Sequence, residues 1–474
     1  MNPQRREGTV SDFDLLVIGG GWGGYTAAQA MARGGGRVAL VEQDKVGGVC
    51  LHRGCIPTKA LLETAAIVLG ARAAPAHGVR LSVPELDWPA ALDFKNGIVG
   101  RLESGMQQAL DLAKIERVDG AARMTGPTSV EVTPTAGGPV TTLRARDVII
   151  ATGSRPADLA FLPVDGRRVV TSDHAIDLPP PSRAIIVGGG AVGAEFASLW
   201  TDLGSDVVLL ELLPQLLPQE DKEAARALAR QLSARGVDVR TGAQIDADSV
   251  RIDADGVRME VEHGGERHTF SGDVVLVATG RRPRSEALAP ADVGVSTYGG
   301  TVPVDDGMRT DVEHVYAVGD VNGGLQLAHV AAAQGRYVAE CLLGQSPPPP
   351  DPVWMPRAVY TTPEVASIGL TEAQAVEAGH RVKVGRSRFR TNARALIHDD
   401  ADGFVKVVAE EESGDLLGCQ IVGTAATEMI GQAAVGGFMD ASLWELGRVV
   451  QAHPTVSEVV GEAAEAALRP KLRL

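Results

Sequence analysis

Cysteine and aromatic residues are scarce in this chain of 474 residues, which has four cysteines and an aromatic content of 4%. So few cysteines exclude a small fold held together by disulfides. The sequence has no run of about 18 consecutive apolar residues, and residues 1–12 lack an apolar core. We therefore expect neither a membrane-spanning helix nor a secretory signal. Sparse cysteine is typical of the cytoplasm, which is the predicted location.

Positive charge is also in deficit, because 45 lysines and arginines face 60 aspartates and glutamates, a net charge of −15. Such a chain lacks the clustered basic residues that sequence-independent binding to nucleic acid requires, so that class of function is excluded. Hydrophobic residues make up 44% of the chain, which is enough for a large core and excludes global disorder. The length corresponds to about three domains.

Glycine is abundant, with 56 residues, and several glycines recur in one pattern. A short apolar strand, the turn Gly-x-Gly-x-x-Gly, a helix of small residues, a second strand and an acidic residue occur twice. The copies run from Gly19 to Glu42 and from Gly188 to Glu211, with the same spacing in each. The glycines of the two turns are Gly19, Gly21 and Gly24, and Gly188, Gly190 and Gly193.

This pattern is typical of a dinucleotide-binding unit. The first glycine allows a tight turn, the second lets the backbone approach a pyrophosphate, and the third lets the helix pack on the strand. The helix N-terminus offers N–H groups to the phosphates, and the acidic residue accepts hydrogen bonds from a ribose. Two copies predict two dinucleotide-binding domains, with a Rossmann-like domain that binds no nucleotide as the alternative. Because a carboxylate repels a 2′-phosphate, Glu211 favours NAD over NADP.

A second element recurs at 151–156 and 278–283, where Ala-Thr-Gly follows an apolar strand and places Gly153 and Gly280 at matching positions. The proline run at 347–350 indicates a linker, because proline continues neither a helix nor a central strand. The residues beyond it mix strand and helix patterns. The sequence therefore predicts an α/β fold with two Rossmann-like dinucleotide-binding domains plus a C-terminal α+β domain.

Cys50 and Cys55 form a close pair. No second pair of cysteines or histidines lies at ligand spacing, so no metal site is predicted. A bridge between them needs a distorted first helical turn, which Gly54 permits. Pro57 suits the start of a helix and so places Cys55 at its N-terminus, where the dipole stabilises a thiolate. We predict a redox-active pair; two reduced structural cysteines are the alternative. The other cysteines, Cys341 and Cys419, are predicted to lie in the core.

Several motifs together resemble those of one family. Besides the glycine turns and the cysteine segment 47–59, the chain contains Tyr-Ala-Val-Gly-Asp ending at Asp320, Thr-Thr-Pro-Glu at 361–364, and His-Pro-Thr-Val-Ser-Glu from His453 to Glu458. From about residue 12 to 467 the sequence resembles the flavoprotein pyridine nucleotide-disulfide oxidoreductases, and within them the enzymes that oxidise dihydrolipoamide. The domain boundaries that follow are an FAD-binding domain at 1–155 and 284–350, an NAD-binding domain at 156–283 and a dimerisation domain at 351–474.

The resemblance also implies a reaction. Protein-bound dihydrolipoamide would be oxidised to lipoamide through a Cys50–Cys55 disulfide and FAD, and hydride would pass to NAD. Cys50 would exchange with the substrate, and Cys55 would face the flavin. His453, oriented by Glu458, would act as the base in the site of the other subunit of a homodimer. The partner would be the lipoyl domain or acyltransferase component of a 2-oxo acid dehydrogenase complex.

The same resemblance implies contacts to both cofactors. Glu42 would bind the FAD ribose, with further FAD contacts from the Ala122 backbone, Gly153, Asp320, the Ala328 backbone and Lys59 paired with Glu195 beside the flavin. Glu211, the Ala243 backbone and Gly280 would contact NAD. There are departures from the family pattern: Gln451 stands where relatives often have His, and His52-Arg53 replaces the commoner Asn-Val. These departures bear on the substrate range and the pH optimum and not on the reaction itself.

Two rival functions remain at this point. One is another FAD-dependent disulfide reductase of the superfamily, of the glutathione or mercuric type, and the other is a non-catalytic flavin-binding scaffold. Glu211 argues against the NADPH-linked reductases, and the lack of cysteine in 469–474 argues against a relay through C-terminal thiols. The intact cysteine pair and the His453–Glu458 pair argue against the scaffold.

Overall fold

The computed structural model describes residues 12–82 and 84–469. The predictions about a secretory signal and about the C-terminal tail fall largely on positions 1–11 and 470–474, outside the described residues. The α-helices are α1 (Trp22–Arg33), α2 (Gly48–His52), α3 (Cys55–Ala73), α4 (Trp88–Leu112), α5 (Ser172–Ala175), α6 (Ala191–Asp202), α7 (Lys222–Ala234), α8 (Ala328–Leu342), α9 (Glu372–Glu377), α10 (Ala393–Ile397), α11 (Ala426–Phe438), α12 (Leu443–Arg448) and α13 (Glu458–Leu468).

The strands are β1 (Phe13–Ile18), β2 (Val38–Glu42), β3 (Glu116–Gly126), β4 (Ser129–Pro134), β5 (Thr141–Ile150), β6 (Ser154–Pro156), β7 (Val169–Val170), β8 (Arg183–Val187), β9 (Asp206–Glu211), β10 (Asp238–Thr241), β11 (Gln244–Ile245), β12 (Arg251–Asp253), β13 (Gly256–His263), β14 (Glu266–Gly272), β15 (Val274–Val277), β16 (Arg281–Pro283), β17 (Val315–Ala317), β18 (Arg357–Val359), β19 (Val365–Gly369), β20 (Val382–Arg388), β21 (Phe404–Glu410) and β22 (Leu416–Val422).

One compact unit contains the described residues as far as Thr58, together with Asp93–Pro156 and Arg281–Pro350. Its sheet has parallel strands in the order β3-β2-β1-β5-β17, and β4 pairs antiparallel with β3 and β5. Leu15 packs with α1 on one face and Leu16 packs on the other, because successive side chains of a strand point to opposite faces. Burial of both faces explains why β1 and β2 are almost continuously apolar.

The second unit contains Lys59–Leu92, Ala157–Gly280 and the chain from Asp351. One of its sheets is parallel, with the order β10-β9-β8-β15-β7. In this sheet β8, β9 and β10 correspond to β1, β2 and β3 of the first unit. An antiparallel sheet of β11, β12, β13 and β14 accompanies it. The predicted repeat of the βαβ unit is confirmed.

The C-terminal part of the second unit is an antiparallel sheet in the order β18-β19-β22-β21-β20. Apolar residues of α11 and α13 pack with this sheet in one core that contains the fully buried Cys419. The predicted α/β class and C-terminal α+β composition are confirmed. The prediction for Cys341 was wrong, because its place on α8 leaves it only partly buried.

The helical segment Gly48–His77 is long and apolar enough, by length and composition alone, to cross a membrane. Core helices of globular proteins pass the same test, so the segment is only a weak indication of a membrane span. Leu61 and Ala65 of α3 lie in the hydrophobic core of the second unit. Burial of these residues against other protein side chains gives the apolar composition of α3 a structural role.

Candidate active site and dinucleotide-binding turns

The first glycine turn joins β1 to α1. Gly19 has φ +106°, a left-handed value that favours glycine, and a Cβ there would collide with the carbonyl oxygen of Ala151. A Cβ on Gly24 would collide with the carbonyl oxygen of Gly19. The first and third glycines are thus required by contacts within the protein, which bring α1 close to the sheet.

The second glycine turn has the same construction between β8 and α6. Gly188 has φ +110°, and a Cβ there would collide with the carbonyl oxygen of Ala278. A Cβ on Gly193 would collide with the carbonyl oxygen of Gly188. Ala151 and Ala278 begin the two Ala-Thr-Gly elements, so each copy of that element packs against its own glycine turn.

The middle glycines, Gly21 and Gly190, differ from the first and third glycines, because contacts within the protein do not explain why glycine is needed there. Apart from the glycine itself and its chain neighbours, no atom in the described part of the chain lies within 4 Å of a Cβ placed on either glycine. Each glycine is the N-cap of its helix, and neither helix has a side-chain cap. The N–H groups of the first helical turn are therefore available to a ligand. A side chain would enter the space in which a pyrophosphate meets these groups, so the residues present fit a dinucleotide at both turns.

The acidic residues at the ends of β2 and β9 also correspond. Glu42 accepts hydrogen bonds from the N–H groups of Gly20 at 2.6 Å and Asp44 at 2.8 Å. Glu211 accepts them from Gly189 at 2.5 Å and Leu213 at 2.8 Å. Each carboxylate is thus fixed beside its turn and keeps further lone pairs for ribose hydroxyls. Within the second turn, Glu211 also places a negative charge where a 2′-phosphate would lie.

Of the residues predicted to contact the rest of FAD, Ala122, Gly153, Asp320 and Ala328 lie in the first unit, whereas Lys59 belongs to the second. Ala122 is on β3, and Ala328 begins α8. Asp320 accepts a hydrogen bond from Ser154 Oγ at 2.5 Å, and Arg281 Nε donates to the same hydroxyl at 2.7 Å. Sequence reasoning missed Ser154 and Arg281. Their signal was positional, since each follows the glycine of an Ala-Thr-Gly element.

The remaining predicted contacts use the backbone. Gly153 and Gly280 have φ +69° and +117°, and β6 pairs with β16 directly after them. The N–H of Ala243 donates to the carbonyl oxygen of Glu211 at 2.9 Å. A backbone contact from Ala243 to a nucleotide would therefore use its carbonyl oxygen.

The two cysteines of the close pair lie on separate helices. Cys50 is on α2 and Cys55 is the first residue of α3, and both are partly buried. The expected distorted turn is in fact a break between helices at Arg53 and Gly54. A Cβ on Gly54 would lie 3.0 Å from the Val49 carbonyl oxygen and 3.3 Å from Cα of Cys50. Glycine at this position therefore lets the start of α3 approach α2.

Hydrogen bonds attach the cysteine segment to the first glycine turn. The N–H of Gly47 donates to the carbonyl oxygen of Gly20 at 2.8 Å. Arg53 Nη2 donates to Asp44 Oδ2 at 2.5 Å, and His52 Nε2 lies 2.8 Å from a backbone carbonyl oxygen. The unusual His52-Arg53 pair thus contacts the loop that follows β2.

Lys59 and Glu195, predicted to pair, are in contact. Lys59 Nζ lies 2.8 Å from both carboxylate oxygens of Glu195, whose side chain is 7% exposed. The N–H of Tyr360 donates to Glu195 at 3.0 Å, and Lys59 Nζ lies 4.6 Å from the Tyr360 ring centroid. Tyr360 therefore contacts both members of the ion pair, Glu195 through its backbone N–H and Lys59 through its ring.

His453 and Glu458 also lie together, at the start of α13. His453 Nδ1 is 2.9 Å from Glu458 Oε1, and the N–H of Thr455 donates to the other carboxylate oxygen at 2.9 Å. The Thr455 N–H and the imidazole hold the pKa of Glu458 below its usual value. The carboxylate therefore stays ionised and orients the ring, which leaves Nε2 for proton transfer. The His453 side chain is 74% exposed.

Large apolar side chains are exposed in the stretch of chain before His453. Phe438 and Val450 are 82% and 94% exposed. The stretch runs through α11 and α12, and its other exposed apolar members are Val435, Met439, Trp444 and Val449. Exposed apolar residues at this density indicate a surface that another protein chain covers.

Comparison with known proteins places this arrangement in a family. A family model described as pyridine nucleotide-disulphide oxidoreductase matches residues 13–335. The chain belongs to this family. The dimerisation-domain model of pyridine nucleotide-disulphide oxidoreductases matches residues 355–464, a region that includes the exposed apolar stretch, His453 and Glu458.

The relatives cover nearly the whole chain. A dihydrolipoyl dehydrogenase of Bacillus subtilis is 39% identical over 97% of this chain and 98% of its own length. A dihydrolipoyl dehydrogenase of Thermus scotoductus is 40% identical over 96% and 98%. Among solved structures, LpdA of Mycobacterium tuberculosis is similar, with a TM-score of 0.88, 28% identity and coverage of 96% and 99%. So is RclA, an HOCl-induced flavoprotein disulfide reductase of Escherichia coli, with a TM-score of 0.82, 27% identity and coverage of 95% and 99%.

Proposed function

We propose that this oxidoreductase oxidises dihydrolipoamide to lipoamide with NAD as the electron acceptor. The curated relatives that match almost the entire chain are dihydrolipoyl dehydrogenases. The structural observation that carries the proposal is the combination of two glycine turns, each open beside its middle glycine, with a cysteine pair in which Cys50 lies on α2 and Cys55 begins α3. Two nucleotides and a dithiol centre are the components that such a reaction needs.

The cysteine pair carries out thiol–disulfide exchange. A substrate thiolate attacks the sulfur of Cys50, the Cys50–Cys55 bond breaks, and Cys55 leaves as a thiolate. The second substrate thiol then displaces Cys50, so that the substrate leaves as a disulfide and the enzyme pair is reduced. The N-terminus of α3 stabilises the Cys55 thiolate through its dipole and its N–H groups.

The base for this exchange is His453. Its Nε2 accepts the proton of a substrate thiol, while Glu458 holds Nδ1 and offsets the positive charge that forms. The protein is a homodimer, and His453 serves the cysteine pair of the other subunit. The 74% exposure of His453 and the apolar surface beside it in the chain support this arrangement, since both would be covered by a partner subunit.

FAD and NAD are the cofactors. When bound, FAD would supply the two-electron chemistry that links the reduced cysteine pair to NAD, the hydride acceptor. The first turn and Glu42 hold FAD, the second turn and Glu211 hold NAD, and the pair Lys59–Glu195 supplies charge beside the flavin. The other proposed contacts are Ala122, Gly153, Asp320 and Ala328 for FAD, and Ala243 and Gly280 for NAD.

The domain roles and the setting are part of the proposal. Residues 1–155 and 284–350 bind FAD, 156–283 bind NAD, and 351–474 form the dimer. The natural partner is a lipoyl domain of a 2-oxo acid dehydrogenase complex in the cytoplasm. The scarcity of cysteine supports that location.

A paired assay tests the function. The purified holoenzyme would be supplied either with dihydrolipoamide and NAD or with glutathione disulfide and NADPH, and NADH formation or NADPH loss would be followed. We expect turnover only with the first pair, and Cys50→Ser should abolish it. Turnover with the second pair alone would replace this function by that of a glutathione-type reductase.

Subunit complementation tests the position of the base. An inactive Cys50→Ser chain and an inactive His453→Ala chain would be mixed under conditions that exchange subunits. A heterodimer should regain about one active site, because its other site carries both lesions. If heterodimers form and no activity returns, His453 does not act across the subunit interface.

A further inference from the structure

The loop that follows Glu211 contacts the second glycine turn directly. The N–H of Leu217 donates to the carbonyl oxygen of Gly189 at 2.9 Å. Leu217 has φ +45°, a left-handed value that strains a leucine, and the strain persists only where surrounding contacts fix the backbone. Leu216 and Leu217 are buried, at 1% and 4% exposure. The loop between β9 and α7 therefore packs directly against the second glycine turn.

The far end of this loop is held by the C-terminal sheet. Lys406 on β21 lies 2.9 Å from Asp221 Oδ2 and 2.9 Å from Glu372 Oε2. The neighbouring Glu220 accepts a hydrogen bond from Arg357 Nε at 2.8 Å and another from the hydroxyl of Ser367. The contacts to Glu220 and Asp221 join residues that are 137 to 185 positions apart in the chain.

The contact between Lys406 and Asp221 is buried and charged. The two side chains are only 4% and 7% exposed. Burial alone would lower the pKa of Lys406, but its hydrogen bonds to Asp221 and Glu372 raise it above its usual value. Removal of one partner from such a pair leaves a buried charge uncompensated, so the pair fixes its surroundings strongly.

None of these residues belongs to the predicted catalytic or cofactor-binding sets. The ion pairs line a cavity of about 790 Å³ that includes Lys406, Asp221 and Glu372 and contains no predicted site residue. Asp221 also caps α7, because its carboxylate accepts the N–H of Glu223 at 2.8 Å. Lys406 of the C-terminal sheet thus contacts Asp221, the residue at which the loop beside the second glycine turn ends and α7 begins.

We propose that Lys406 is a positioning residue for the pyridine nucleotide, acting through Asp221 and Leu217 on the backbone of Gly189. The inference rests on the proposed NAD site at the second turn. Loss of the Lys406 charge releases the loop end, Leu217 relaxes from its strained conformation, and the turn and Glu211 lose their fixed geometry. Nucleotide affinity then falls, whereas the cysteine pair is unaffected.

The test compares two half-reactions in Lys406→Met holoenzyme. We expect the Kd for NADH and the KM for NAD to rise about 3- to 30-fold, the range of coupling through packed networks. FAD content and the rate of flavin reduction by dihydrolipoamide should match the wild type. Lys406→Arg, which keeps the charge, should restore the KM. A general structural defect would instead lower FAD content and both half-reactions together.

A matched control removes a cation elsewhere in the C-terminal part of the chain. Arg381, 67% exposed, pairs only with Glu411 and Glu412 among the ion pairs in the described residues. Arg381→Met should therefore leave the KM for NAD within about 2-fold of the wild type. An equal rise in both variants would show that charge loss anywhere has this effect and would overturn the proposal.

The double variant Lys406→Met, Asp221→Asn keeps the test possible if the single variant Lys406→Met fails to fold. It leaves no unpaired buried charge at this pair, and asparagine still caps α7. We expect it to fold and to show the same raised KM. Normal NADH affinity in a folded variant would overturn the role of Lys406. Absence of NADH binding to the wild type would instead overturn the proposed NAD site.

Discussion

The two glycine turns are nearly identical in construction, yet different segments complete them. In the first turn, the carbonyl oxygen of Gly20 accepts the N–H of Gly47, which begins the cysteine segment. In the second, the corresponding carbonyl of Gly189 accepts the N–H of Leu217. The same backbone position is thus occupied in one copy by the cysteine segment and in the other by a loop whose end, at Asp221, contacts Lys406.

This difference teaches how one repeated unit can serve two roles. The segment after Glu42 turns through glycines with positive φ, Gly47 and Gly48, and leads into α2 and the cysteines. The segment after Glu211 carries no reactive group and is buried through Leu216 and Leu217. We infer that the first turn is specialised for a cofactor that exchanges electrons with the cysteines, and the second for nucleotide selection.

The largest effect is expected when the third glycine of each turn is replaced by alanine. Gly24→Ala should release FAD and abolish all activity, because its Cβ would collide with the carbonyl oxygen of Gly19. Gly193→Ala should keep FAD but lower NAD-linked turnover about 100-fold, near the upper range for overpacking. Flavin absorbance per chain and NADH formation measure the two effects. Release of FAD from Gly193→Ala would contradict the assignment of FAD to the first turn and NAD to the second.

The next effect concerns the carboxylates. Glu211→Ala should weaken NAD binding by about 1–3 kcal/mol and relax discrimination against NADP, because it removes a charged acceptor and its repulsion of a 2′-phosphate. Calorimetric Kd values for both nucleotides provide the measurement. The matched variant Glu42→Ala should leave the NAD Kd within about 2-fold, since the two carboxylates share no partner. A wild type that prefers NADPH would refute this role of Glu211.

A smaller effect is expected at the junction of the first turn with the cysteine segment. Gly47→Ala would strain a backbone with φ +104°, at a cost of about 1–2 kcal/mol. We expect slower flavin reduction by dihydrolipoamide with unchanged NADH affinity, measured by stopped-flow absorbance. Gly70→Ala on α3 is the control, because, apart from its chain neighbours and its own helix backbone, no atom of the described residues lies within 4 Å of its Cβ position. Equal losses in both variants would contradict a specific role for Gly47.

The smallest effect is expected from the unusual arginine between the cysteines. Arg53 and Asp44 pair at 2.5 Å, but their side chains are 41% and 46% exposed. A solvent-exposed pair contributes about 1 kcal/mol or less. Arg53→Met should therefore change the steady-state rate with dihydrolipoamide by less than about 5-fold. A larger loss would show that Arg53 tunes the cysteine pair rather than only supporting the loop.

Much of the fold followed from local patterns. The repeated strand, glycine turn, helix and acid predicted both βαβ units, and the structure places β1, α1 and β2 within a few residues of the expected bounds. The start of α3 at Cys55 was also predicted, because a proline in the first turn is a local signal. The break at Arg53 and Gly54 was not, since helix patterns do not show where two short helices separate.

The sequence by itself determined the two dinucleotide turns, the position of Cys55 at a helix start and the acids that close each unit. Each of these is a requirement on residue type at a fixed spacing along the chain, which a pattern can carry. Only the tertiary structure decided which segments complete the turns and which distant side chains pair, such as Ser154 with Asp320 or Lys406 with Asp221. Those partners are 166 and 185 residues apart, and contacts between distant segments leave no periodic trace in a single sequence.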